Sequence, residues 1–88
     1  MIVIRVIRTG GFAGARREWQ VRGEASAWLP LVEACSWRSI APDRGSADRY
    51  EWRIEVRGRV RRTARVPDAA LDGPLRDLVE RVQSVSSP

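Results

Sequence analysis

Eighty-eight residues carrying a net charge of +5 are expected to form one domain, 1–88, with too little material for both a core and a deep catalytic cavity. All sixteen positive charges are arginine, and histidine, lysine and asparagine are missing, which removes the usual general bases and base-activated nucleophiles. The one cysteine, Cys35, has no partner for a disulfide or a thiolate metal site, so no cofactor is expected and a binding protein is favoured over an enzyme.

In chain order, Ile2, Ile4 and Val6 alternate with Val3, Arg5 and Ile7, which predicts a strand from Ile2 to Arg8. An opening that alternates in this way does not read as a secretory leader, so a cytoplasmic location is expected. A second strand is predicted over Ala15 to Val21, with Ala15, Trp19 and Val21 on one face and Arg16, Glu18 and Gln20 on the other. Setting Ile4 against Trp19, Ile2 against Val21 and Arg5 against Glu18 places apolar with apolar and opposite charges together, and leaves Thr9 to Gly14 as the loop. That loop holds Gly10, Gly11 and Gly14 around Phe12 and Ala13. Glycine permits positive φ and close approach of another backbone, and a ring at a loop tip reads either as a presented contact or as a side chain folded back onto the core.

Arg22 to Ser26 reads as a turn. Trp28, Leu31, Val32 and Cys35 then follow the i, i+3, i+4, i+7 spacing of a short helix ending near Trp37, with Pro30 in its first turn, where a missing N–H costs little. Arg38 to Arg49 is an irregular connection with Pro42, Asp43, Gly45, Ser46 and Asp48. Tyr50, Trp52, Ile54 and Val56 alternate strictly with Glu51, Arg53, Glu55 and Arg57, which predicts a strand over Tyr50 to Arg57. A fourth strand is predicted from Val60 to Val66. A three-residue loop, Arg57 to Arg59, would set Val56 against Val60 and Trp52 against Ala64, and would oppose Glu55 to Arg61 and Glu51 to Arg65. After Pro67, Asp72 serves as a helix N-cap and Pro74 falls in the first turn, with Leu75, Leu78, Val79, Val82 and Val85 as the apolar stripe and a disordered tail over about 84–88. The sum is an α+β fold: a four-stranded, mainly antiparallel sheet with two amphipathic helices on one face, in the order ββαββα, and monomeric when free.

Little of this sequence carries reaction chemistry. Cys35 sits on the apolar side of its helix and reads as a buried structural thiol. The glycine cluster fits neither phosphate-binding pattern and leads into a strand where those lead into a helix. The pairs Glu51 with Glu55 and Asp77 with Glu80 have arginine neighbours and no apolar pocket to separate their acidities. The alternative function is a small basic nucleic-acid-binding module using Arg57, Arg59, Arg61 and Arg62 at the second hairpin. Against it, Trp19, Tyr50 and Trp52 are assigned to the core face, and Glu18, Glu51 and Glu55 neutralise the ionic face. A third reading is self-association through Val3 and Ile7 on that ionic face.

Arg8-Thr-Gly-Gly-Phe-Ala-Gly14 after an N-terminal strand, then Arg17-Glu18-Trp19, Asp48-Arg-Tyr50-Glu-Trp52 and a closing Leu75-Arg-Asp-Leu78-Val79-Glu helix, together resemble the emfourin family. These are small bacterial proteins named for inhibiting protealysin and other thermolysin-like zinc metallopeptidases. The resemblance spans most of the chain and implies a four-stranded antiparallel sheet with two helices. It also implies a reversible inhibitor, itself metal-free, whose loops block a peptidase cleft. The residues it points to are Gly10, Gly11, Phe12, Ala13 and Gly14, flanked by Arg8 and Arg16, together with the loop from Asp43 to Asp48.

Overall fold

The computed structural model describes residues 1–11, 14–40 and 50–86. Four strands form one antiparallel sheet in the order β2-β1-β3-β4, with β1 over Ile2–Gly10, β2 over Ala15–Gly23, β3 over Tyr50–Arg57 and β4 over Arg62–Pro67. Helix α1 covers Ala25–Glu33 and α2 covers Gly73–Ser86, with a short 3-10 turn at Asp68–Ala70 between β4 and α2. The fold class expected above is therefore the one observed.

Period-two alternation places Ile2, Ile4 and Val6 on one face of β1. They join Val21, Trp52, Ile54, Val56, Ala64 and Val66 in a core closed by Trp28 and Val32 of α1 and Leu75, Leu78, Val79 and Val82 of α2. Burying apolar side chains of this size is worth roughly 1.5–3 kcal/mol each, so this layer is the main source of stability. Val85, expected in the stripe, stays exposed at the far end of α2. That helix runs to Ser86, into the stretch expected as tail.

Both hairpins pair two residues away from the expected registers. Ile4 faces Val21 and Val6 faces Trp19, so Gly10 pairs with Ala15 and the connection is shorter than Thr9 to Gly14. In the second hairpin Trp52 faces Val66 and Ile54 faces Ala64, so β4 starts at Arg62 and the loop is longer than Arg57 to Arg59. A slip of two preserves every face, and the physical reason for the longer second loop is Gly58. Its φ is 138°, and a Cβ there would stand 2.7 Å from the Met1 carbonyl oxygen, so the turn must pass tightly under the start of β1. Two of the three expected ion pairs survive as diagonal neighbours, Arg5 with Glu18 at 2.8 Å and Arg65 with Glu51 at 2.9 Å, whereas Glu55, expected opposite Arg61, faces Thr63 and meets Arg53 instead.

Helix α1 begins earlier than expected, at Ala25 after Glu24, so Ala25 and Ser26 are helical and Pro30 lies beyond the first turn. Pro30 has no N–H to give to the helix ladder, and α1 ends three residues later, where the Ala34 N–H donates to the Pro30 carbonyl at 3.2 Å. Cys35 is buried, as expected, and its Sγ donates to the Leu31 carbonyl at 3.1 Å. Arg38 to Ile40 then lie along β4: the Ile40 N–H donates to the Arg65 carbonyl at 2.8 Å and the Arg65 N–H to the Arg38 carbonyl at 3.2 Å.

Candidate functional site

The sheet extends past its helices at one end. Ile4, Val6 and Ile54 are fully buried, yet on the same face Arg8 and Trp19 are half-buried and Tyr50 is 38 % exposed. Arg8 falls on this face because β1 continues to Gly10 in unbroken alternation. Its guanidinium lies 4.2 Å from the centre of the Tyr50 ring, with Trp19 and Trp52 at 5.7 and 5.8 Å. The two indoles stack with centres 6.0 Å apart and planes 21° from parallel. Trp52 Nε1–H donates to Asp68 Oδ1 at 2.8 Å, which ties this stack to the 3-10 turn ahead of α2.

Arg8 and Arg17 face each other across β1 and β2, a like-charge pair that would ordinarily destabilise a sheet. Ring faces relieve it. Arg17 lies 5.2 Å from the Trp19 centre, so the two cations each rest on aromatic quadrupole, a contact worth about 0.5–1 kcal/mol at an exposed site.

The glycine loop springs from this cluster. Gly10, Gly11 and Gly14 have φ of 103°, 80° and 62°, and the Gly14 N–H donates to the Gly11 carbonyl at 3.1 Å, closing the connection as a tight turn. Gly11 packs directly on the Tyr50 ring. Of the residues expected to flank the loop, Arg8 points to the aromatic side and Arg16 to the opposite face, where it meets Glu18 at 3.3 Å. Phe12 and Ala13, and the connection carrying Asp43 and Asp48, lie outside the described residues.

The aromatic surface is what the sequence reading missed, since it assigned Trp19, Tyr50 and Trp52 to the core as a group. The signal was present in Arg8: an arginine at a core-parity position marks where the apolar layer ends.

The opposite face holds a second charge cluster. Glu55 is only 7 % exposed although no helix covers it; Arg53 approaches it at 2.9 Å, Arg5 at 3.7 Å and Arg57 at 3.9 Å. Glu18, hydrogen-bonded to Arg5, has its carboxyl held below the ordinary carboxylate range. Ile7, expected as part of a self-association patch with Val3, is itself 6 % exposed between Glu18 and Arg53, so it offers no apolar surface. Arg57, Arg59, Arg61 and Arg62 are exposed around the β3–β4 turn, at the far end of the sheet from the aromatic cluster. Burial, aided by the charge of Asp77, pushes the Cys35 thiol up to about 11, which suits a structural group and not a nucleophile. Among the described residues no cluster of His, Cys, Asp or Glu could hold a metal ion, and no helix is long and apolar enough to cross a membrane.

A family model described as Emfourin matches residues 6–83, a span that includes the glycine loop, the aromatic cluster, α1 and most of α2. No curated protein and no solved structure matches the chain.

Proposed function

This chain belongs to the Emfourin family, and on that premise we propose that it is a reversible protein inhibitor of thermolysin-like zinc metallopeptidases, occluding the active-site cleft with surface loops. The observation that supports this reading is the placement of the glycine loop. Three glycines with positive φ rise from a base of stacked aromatic rings at an end of the sheet where the aromatic face is left partly exposed. A cleft built for extended peptide accepts a closely approaching backbone, and a glycine loop offers one without side chains in the way.

The fixed base matters as much as the loop. Rings fixed before binding avoid part of the entropy cost that mobile side chains would incur on association. Phe12 supplies an apolar ring for a subsite that takes large side chains, and the loop from Asp43 to Asp48 contributes a second contact. The inhibitor carries no metal of its own and acts by exclusion.

The test is a titration of purified protein into a panel of thermolysin-like peptidases, with a serine peptidase as control. The expected result is loss of peptide hydrolysis by the metallopeptidases alone, with activity recovered on dilution. If no member of the panel slows at micromolar inhibitor, the proposal is wrong.

A further inference from the structure

The loop is not the whole contact surface. We propose that the aromatic platform beside it, Tyr50 and Trp19 with Arg17, docks on the rim of the peptidase cleft, and that Arg8 beneath it is a positioning residue. This inference rests on the inhibitor reading and adds a second anchor to it.

Four observations carry it. The platform is exposed where the middle of the same face is sealed: Tyr50 is 38 % exposed and Trp19 half-buried, while Val6, paired with Trp19, and Ile54 are fully buried. Its composition of tryptophan, tyrosine and arginine is the one that dominates the energetic centres of protein interfaces. It is held in place from behind, because the Trp19–Trp52 stack and the Trp52–Asp68 hydrogen bond fix the rings before any partner arrives. Finally, it is continuous with the loop, since Gly11 lies against the Tyr50 ring.

The chemistry of the partner follows from the two kinds of group presented. Tyr50 and Trp19 offer ring area to an apolar rim. Among the described residues Arg17 has no carboxylate partner and lies against the Trp19 ring, and such a planar fork pairs best with a carboxylate. The rim is therefore apolar with at least one acidic side chain. Arg8 is enclosed by three rings and cannot reach outward in the same way; its part is to hold Tyr50 under Gly11.

The experiment compares inhibition constants and melting temperatures for the intact protein, Arg17→Glu, Tyr50→Ala, Arg8→Ala and the remote control Arg81→Glu. Arg17→Glu is expected to weaken inhibition by about tenfold or more, with melting unchanged and a weaker salt dependence than the parent. Tyr50→Ala should weaken it comparably, and Arg81→Glu by less than about twofold. For Arg8→Ala, the amide and Hα resonances of Gly11 should lose their ring-current shifts even without peptidase, a readout that general destabilisation would not produce. If Arg17→Glu and Tyr50→Ala inhibit as the parent does, the platform is not a contact surface although the inhibitor reading stands. If the parent protein inhibits no peptidase, both are overturned.

Discussion

The Tyr50 ring lies so close to the Cα of Gly11 that a Cβ there would stand 2.8 Å from Cε1. Gly11 also has a φ of 80°, so an alanine meets both backbone strain and a ring that must move. Gly11→Ala is expected to cost about 1–2 kcal/mol, lowering the melting temperature by roughly 5–10 °C. Gly14→Ala shares the positive φ but has open space around it, and is expected to cost less. Adding Tyr50→Ala to Gly11→Ala should recover the difference, read as a coupling in a double-mutant cycle by thermal melts. Strict additivity of the two changes would show that the contact carries no energy.

Glu55 neutralises three arginines from a nearly buried position, and its Oε1 has no hydrogen-bond partner of its own. Its removal leaves Arg53 and Arg57 without a carboxylate partner among the described residues, while Arg5 keeps Glu18. Glu55→Ala is expected to destabilise by about 1–3 kcal/mol, below the full value for a buried pair because the arginines are themselves partly solvated. The deficit should shrink in molar salt, measured by urea denaturation at two ionic strengths, because screening relieves the repulsion. A salt-independent loss would point to packing instead of charge.

Asp68 is the only anchor described for the Trp52 indole N–H, at 2.8 Å. Asp68→Ala should cost about 1 kcal/mol, and Asp68→Asn, which keeps the acceptor oxygen, should restore most of it. Chemical denaturation of the three proteins decides; equal losses for Ala and Asn would mean that charge, not the hydrogen bond, is what matters.

The Cys35 thiol titrates near 11 in the folded protein and near 8.5 when unfolded. Because the folded value is the higher, the contribution is complete below about pH 8.5 and is lost as pH climbs toward 11, on the order of 3 kcal/mol in all. Stability measured across that range should fall, and Cys35→Ala should flatten part of the fall while being less stable at neutral pH. An identical alkaline slope in both proteins would exclude the thiol as its source.

Which residues face the core was legible because alternation with period two is written directly in Ile2-Val3-Ile4-Arg5-Val6 and in Tyr50 to Arg57, and the strand Tyr50 to Arg57 is observed with those bounds. Which residue faces which was not. A slip of two exchanges Trp19 for Val21 opposite Ile4, apolar for apolar, so the sequence pattern scores both registers alike. The choice is made by Gly58 beneath Met1 and by Gly10 continuing β1, contacts between segments far apart in sequence. The open aromatic end was hidden for a related reason: Trp19 and Tyr50 have the parity of core residues, and only the reach of the helices decides whether that parity means burial.

Arg38 to Ile40 occupy both outward backbone groups of Arg65. An unprotected outermost strand offers its free amides and carbonyls to any passing chain and seeds fibrils. Here one margin of the sheet is partly occupied by the protein's own connection, and the other, β2, carries Arg16, Arg17, Glu18 and Arg22 along its length. Stacking copies strand to strand would bring these charges into repeated contact, which disfavours edge-to-edge pairing along both sides of the sheet.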